Sequence, residues 1–472
     1  MLLFKNSISQ ITETKFNLFY SFASVSLFSL IIILLINYTS SKIIYILSAL
    51  ALGILLSFNI QSILFFLLLI VVTPKFAQIH HSILFVLFLV PTAILNYKIF
   101  FDNKIKNPLI NPLLVFVLLA SISLVNAPKN IFTFFEYFNL ISVCILVFLL
   151  PYMLKDYIKI TRLFYFFILF MSIHSLYVIF QALITNGRAF GLLGVFYIDF
   201  AGLAFLYSII FFIYKNGRQK ILFGLSSFLN LIGLIFSQTR NAWITTLLLL
   251  IVLLSILFFN NRKLFVSKKY VIRASALITI IFVFFLSILL QSSSVDVGKR
   301  IDSKTQEVRL TDNTESVNEN SFVSRLFIWH TAVNAFVKEP IIGIGLYSFK
   351  YTSQKYYTIP KPFFKQFVEF NTPHVSYLEI LVETGIVGFI GFIFFLIVIV
   401  RLAIKMIKSS VDKQIVAPRL IIFITIFYII FSMIMTEAWL YGQYLVWFGV
   451  ILGALISDYK ISNSLSSIDN ER

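Results

Sequence analysis

The stretch Asn371-Thr372-Pro373-His374-Val375-Ser376-Tyr377-Leu378 ends a long polar interruption and runs directly into the apolar segment 376–402. A histidine therefore stands where the chain returns to a lipid-compatible environment. Ionisable groups at that depth are costly, and those present tend to serve function. The wider region from Ser321 to Gly388 carries most of the polar chemistry of a chain that is otherwise apolar.

Working outward, 472 residues that are 59% hydrophobic and only 12% charged hold more apolar surface than a soluble core of that length can bury. An apolar run of ~17–25 residues suffices to cross ~30 Å of hydrocarbon. Candidate spans fall near 17–37, 43–58, 59–73, 82–97, 112–126, 135–154, 162–184, 194–214, 221–237, 242–260, 271–291, 376–402, 418–436 and 441–457. The expected fold is an all-α integral membrane protein of about 12 to 14 transmembrane helices with one large extracytoplasmic loop containing short helices. The first run is too long, and too poor in small residues at its end, for a cleaved signal peptide.

The net charge of +18 resembles a nucleic-acid signature until its placement is examined. Cations gather in alternate loops: Lys98, Lys104 and Lys106; Lys155, Lys159 and Arg162; Lys215, Arg218 and Lys220; Arg262 to Arg273; Arg401 to Arg419. Lys5, Lys15, Lys460 and Arg472 lie on the same side, and the opposite short loops hold only Lys42, Lys75, Lys129, Arg188 and Arg240. This is the positive-inside pattern. It places both termini in the cytoplasm and 292–374 outside, and it makes the charge topological rather than a sign of nucleic-acid binding. The organisation read from this is 1–184, N-terminal transmembrane helices; 185–291, helices carrying arginine motifs; 292–374, the large outer loop; and 375–472, C-terminal helices and tail.

The single cysteine, Cys144, excludes an intrachain disulfide, so packing alone is expected to hold the loop. Residues 292–320, rich in Ser, Asp, Asn, Glu and Thr, read as a mobile segment. Beyond them Phe322, Leu326, Trp329, Val333 and Phe336 recur at 4, 3, 4 and 3, which predicts one face of an amphipathic helix lying on the membrane surface or on the bundle, stopped by Pro340 and Gly343-Ile344-Gly345. In 347–370, aromatics interleaved with Lys350, Lys355, Lys361 and Lys365 suit sugars and lipid phosphates, though an interfacial aromatic belt is the commoner explanation. No P-loop, dinucleotide fingerprint, HExxH or zinc-spaced Cys/His cluster occurs. The five histidines, 80, 81, 174, 330 and 374, form no metal set; neither a metal nor a cofactor is indicated, and an ATP-driven pump is disfavoured.

Four segments follow one another in an informative order: Arg188-Ala189-Phe190-Gly191; Ser237-Gln238-Thr239-Arg240-Asn241-Ala242-Trp243; Ser324 to Trp329 with Glu339-Pro340-Ile341-Ile342-Gly343-Ile344-Gly345; and His374-Val375-Ser376-Tyr377-Leu378 with Glu383-Thr384-Gly385-Ile386-Val387-Gly388. Together, over roughly 185–400, they resemble the O-antigen ligase and polymerase superfamily. The resemblance implies a metal-independent glycan transferase of the GT-C type in the bacterial inner membrane. Its donor would be an undecaprenyl-diphosphate-linked glycan on the periplasmic face, and its acceptor a lipid A core sugar or another glycan. By the same resemblance Arg188 and Arg240 hold the donor diphosphate, Arg325 is a further candidate for it, and His374 is the base on the acceptor hydroxyl. The chain departs from the family at Val375, where asparagine is common.

The chemistry of these residues fits those roles. A diphosphate leaving group needs fixed positive charge, which arginine supplies through a planar fork. A sugar hydroxyl needs transient deprotonation, suited to a histidine near its ordinary pKa of ~6.5. Blander roles compete: an arginine at a helix end also anchors by snorkelling, and a histidine after proline also serves as a cap. Glu136, Asp199, Glu379, Glu383 and Glu437, in or beside spans, each require a cation or cavity; Glu383 reads as structural and Asp199 as able to orient an arginine. Three functional classes follow: an outer-face glycosyltransferase of ligase type, with a polymerase sharing its donor chemistry; a glycolipid transporter or flippase, which internal repeats would favour and none is visible; and a membrane scaffold.

Overall fold

The computed structural model describes residues 107–129, 131–154, 156–185, 189, 197–260, 266–267, 269, 272, 276, 321–409, 413–436 and 442–470. The expected spans near 17–37, 43–58, 59–73 and 82–97, most of 271–291, and the polar segment 292–320 lie outside them. Among the described residues the chain forms helices and no strand. The main ones are α1 (Ile110–Ile122), α2 (Ile131–Met153), α3 (Tyr157–Thr185), α4 (Tyr197–Tyr214), α5 (Gly217–Phe236), α6 (Arg240–Phe259), α7 (Ser321–Lys338), α8 (Ser376–Lys408), α9 (Lys413–Met435) and α10 (Gly442–Asn470). Six stretches among the described residues are long and apolar enough to cross a membrane, and there are shorter apolar helices besides. Helix is the form required here, because hydrocarbon offers no partner to an open backbone group.

In the bundle α2 packs on α10, α4 on α3 and α5, and α8 on α1 and α9. Close approach is bought by small residues: a Cβ on Gly449 would lie 2.9 Å from Leu146 of α2. Some polar side chains inside the bundle bond across helices. Asn230 of α5 donates to Ser172 Oγ at 3.0 Å and accepts from Ser175 at 2.9 Å, both on α3. At one end the buried Arg419 of α9 forms a fork on Asp458 of α10, at 3.0 and 2.9 Å from its Nε, and reaches Tyr157 of α3 at 3.0 Å and Ser462. That group ties α3, α9 and α10 together at the end where Lys405 and Lys408 close α8.

At the opposite end α8 is broken. Gly385 has φ +63 and ψ −172, a region that only glycine occupies without strain. Tyr377 and Phe392 lie on either side of the break with ring centroids 6.0 Å apart, whereas fifteen residues of straight helix span about 22 Å. The two halves therefore meet at a sharp angle. In an unbroken helix Ile386 and Val387 would donate to the carbonyls of Val382 and Glu383. Here Ile386 donates to Pro340 at 2.9 Å and Val387 to Ile341 at 3.2 Å, while Val382 accepts from Ile344 at 3.1 Å and Glu383 from Gly345 at 3.0 Å. The segment after α7 thus threads the break and satisfies all four opened groups.

The Glu383 side chain completes the junction, accepting the backbone N–H groups of Tyr347 at 2.7 Å and Phe349 at 3.0 Å. Asn126 and Ser123, just beyond α1, bond to the Gly343 carbonyl and the Leu346 N–H at 2.8 and 3.0 Å. The expectation that packing alone holds the loop is therefore corrected: a backbone clamp holds it as well. The structural reading of Glu383 agrees with this geometry. The predicted apolar face of α7 is not its packed side, which leaves it open to the membrane surface. Ile328, Thr331, Ala332 and Ala335 are buried, whereas Leu326 and Val333 are 45% and 49% exposed. Small residues took the packed side because α7 lies close against the loop, which a count of large apolar side chains misses.

The clamp predicts a sharp penalty for a single methyl group. Gly385→Ala places a Cβ against the Ile341 carbonyl and 2.6 Å from the Gly343 nitrogen, and should cost about 2–4 kcal/mol, read as a lowered unfolding midpoint in detergent. Gly224→Ala, whose Cβ meets only the Phe212 ring at 3.3 Å, should stay near wild type. Equal midpoints for the two variants would contradict the clamp.

Candidate functional site

The backbone between the loop and α8 is held in an unusual form around His374. Phe370 and His374 both have positive φ, +61 and +57, a conformation uncommon for residues other than glycine and concentrated at functional sites. Pins on both sides maintain it. Trp329 of α7 donates its indole N–H to the Pro373 carbonyl at 2.7 Å. Ser376 gives both its backbone N–H and its hydroxyl to the Thr436 carbonyl, beyond the end of α9, at 3.2 and 2.8 Å. His374 is thereby stretched between α7 and the α8–α9 pair, and its ring is half-buried.

Arg325 lies one helical turn before Trp329 on α7, so a single helix carries both the pin and a cation facing the histidine. Burial first, and then the Arg325 guanidinium, push the His374 imidazole down to about 4. The ring is neutral at physiological pH. It is a weaker base at rest than an ordinary histidine. Because its folded value lies below that of the free side chain, the site's contribution to stability is complete above pH ~6.5 and is lost as pH falls toward 4.

The aromatics of 347–370 are used mainly within the loop. Tyr347, Phe349, Phe364 and Phe367 are buried; Phe327 stacks on Phe363 at 5.3 Å and Tyr357 on Phe364 at 4.1 Å. Phe349, Phe364 and Phe367 form a small core beneath α7 with Ile344 and Val382, while Tyr347 joins the core of the bundle. The expectation that they present a sugar platform or an interfacial belt is replaced by this packing, with Phe370 as the exposed exception at 71%.

Ala189 of the first arginine motif and the turn of the second lie at the same end of the bundle. Arg240 opens α6 after a turn in which Gln238 has φ +52, closed by Thr239 on the Ser237 carbonyl at 3.1 Å and by the Trp243 indole on the Leu234 carbonyl at 2.8 Å. Ala189 donates to the Phe236 carbonyl at 3.3 Å, which joins the first arginine motif to the second through the backbone. Asp199, in the first turn of α4, accepts from Tyr428 of α9 at 3.1 Å, eight residues before the Thr436 that holds Ser376. Since α4 and α5 form a hairpin, the start of α6 shares the end of the bundle that carries His374. Arg188, the Arg240 side chain, and the side chains of Glu136 and Glu437 lie outside the described residues. Asp199 meets a tyrosine hydroxyl, and the arginine it was expected to orient lies among the residues not described.

Sequence reading missed Trp329 as the pin of His374 and Tyr428 as the partner of Asp199. Both are long-range pairings, across 44 and 229 positions. Among the described residues no group of His, Cys, Asp and Glu is arranged to hold a metal.

Residues 225–393 match a family model described as O-antigen ligase. None of the curated proteins compared matches the chain. The matched span contains Arg240, Arg325, His374, Glu383 and the broken Gly385, and the resemblance to the O-antigen ligase and polymerase superfamily stands on it.

The geometry predicts the titration of His374. In histidine-selective NMR of the detergent-solubilised protein, one of the five imidazoles should titrate near 4, vanish in His374→Asn, and move upward in Arg325→Gln, because the opposing cation is gone. A His374 titration near 6.5 that Arg325→Gln leaves in place would contradict the arrangement.

Proposed function

Taking the O-antigen ligase similarity of residues 225–393 as the premise, we propose that this membrane protein is a glycosyltransferase of the ligase type. It moves a glycan from an undecaprenyl-diphosphate donor to a sugar hydroxyl of a lipid A core acceptor, at the outer face of the inner membrane, with both termini cytoplasmic and the large loop periplasmic. The observation that carries the reading is the pinned, neutral His374 between the Trp329–Pro373 bond and the Ser376–Thr436 bonds.

In this mechanism the acceptor hydroxyl gives its proton to His374 as its oxygen attacks the anomeric carbon of the donor sugar. The bond to the diphosphate breaks, and the leaving group departs with the electron pair. Arg188 and Arg240 hold that growing negative charge, with Arg325 as a further candidate for it. Charge fixed where it develops is usually the largest catalytic contribution, and guanidinium forks suit a diphosphate because they bind it bidentately. The depressed basicity of His374 fits a base that acts only when the site is loaded. An arriving diphosphate offsets the Arg325 charge and returns the imidazole toward its ordinary range. Positive charge supplied by arginine underlies the metal-independent form of the mechanism. A polymerase would share every one of these steps and differ in its acceptor.

The arginines test the reading. With purified lipid-linked donor, Arg240→Ala should reduce transfer by about 10²-fold or more, and Arg240→Lys should recover only part of it, since lysine keeps the charge and loses the fork. Arg188 should follow the same order. Full activity of both lysine variants would reduce these residues to snorkelling anchors, and abolition of wild-type transfer by a chelator would reject the metal-independent mechanism.

A further inference from the structure

Helix α7 is apolar on two opposite faces. Ile328, Ala332 and Ala335 are packed on the loop. Leu326, Val333 and Val337 fall within about 40° of one another on the other side of the helix, and they are 45%, 49% and 69% exposed. The stripe continues past the end of the helix into Ile341, 64% exposed. The clamp joins Ile341 and its neighbour Pro340 to Val387 and Ile386 through backbone bonds of 3.2 and 2.9 Å. Ile386, 43% exposed, begins a second stripe with Ile390, Phe394 and Ile397, at 60%, 47% and 44%, on a helix long and apolar enough to cross a membrane.

One unbroken apolar surface therefore runs from a membrane-crossing helix onto the outward side of α7. A protein partner seated on α7 would have to continue into hydrocarbon to cover it, and bulk water would leave it unpaired. Lipid acyl chains meet both halves at once. Lys338 lies exposed beside the stripe, its ammonium 5.6 Å from the Tyr356 ring centroid, in a place suited to lipid headgroups, as at the polar margin of an interfacial helix.

We propose that α7 rests in the membrane interface and that its Leu326–Val333–Val337–Ile341 stripe seats acyl chains of the adjoining leaflet. The same helix carries Trp329 and Arg325 against His374, so His374 stands at headgroup level. This surface is independent of the catalytic roles assigned above.

The test uses the full chain with Cys144→Ser, reconstituted one copy per phosphatidylcholine nanodisc, with a fluorophore on a cysteine at Val337 or, for comparison, at the exposed Lys355. Nitroxides placed shallow on the acyl chains should quench the Val337 probe strongly and the Lys355 probe weakly, while aqueous iodide does the reverse. Adding Val333→Asp should lift the Val337 probe toward iodide. Iodide quenching of Val337 without nitroxide quenching would overturn the proposal. So would a Val337 site open to iodide in single-copy discs and closed only when two copies share a disc, since a second copy would then be its cover.

Discussion

The arrangement depends on the exchange of backbone hydrogen bonds at Gly385. A helix broken inside a bundle leaves two N–H and two C=O groups without partners, each expensive where water is scarce. Residues 340–345 supply all four partners, and the Glu383 carboxylate gathers the next turn of the loop through two further N–H groups. The loop is thereby built into the membrane domain rather than appended to it. Because α7 leads directly into that segment, its position is set by the same bonds, and with it the places of Trp329 and Arg325 relative to His374.

Seen this way, Glu339-Pro340-Ile341-Ile342-Gly343-Ile344-Gly345 and Glu383-Thr384-Gly385 are two sides of one joint. Gly343 and Gly385 face each other so closely that a methyl group on either strikes the other's backbone. Proline at 340 keeps a free carbonyl for Ile386 and has no N–H needing a partner of its own. The short apolar run that follows α7 reads as an ordinary loop until its partner across the break is known.

The apolar runs made the helical class readable from sequence, because crossing hydrocarbon demands helix whatever else the chain does; the spans expected near 162–184, 221–237 and 376–402 coincide with α3, α5 and α8. His374 and Arg325 were readable as candidates from residue type and their place at a boundary. Their relation was not, since it rests on a bond from Trp329 to Pro373 across 44 positions. The packed side of α7 was not readable for the same reason: Ala332 and Ala335 are buried by closeness to a neighbour that periodicity does not reveal. Nor did the order of the motifs show that Ala189 would pair with Phe236.

The site joins a half-buried imidazole to the cationic charge of Arg325. In the proposed mechanism the cations would favour a departing diphosphate, while Arg325 would keep His374 neutral until a negative group arrives. The most direct measurement is the rate of glycan transfer by His374→Ala, with purified lipid-linked donor and a lipid-borne acceptor, in the absence and presence of added imidazole. A loss of about 10²–10⁴-fold, partly restored by imidazole, is the expected result. Transfer within a few-fold of wild type would remove His374 from the reaction, and with it the central claim.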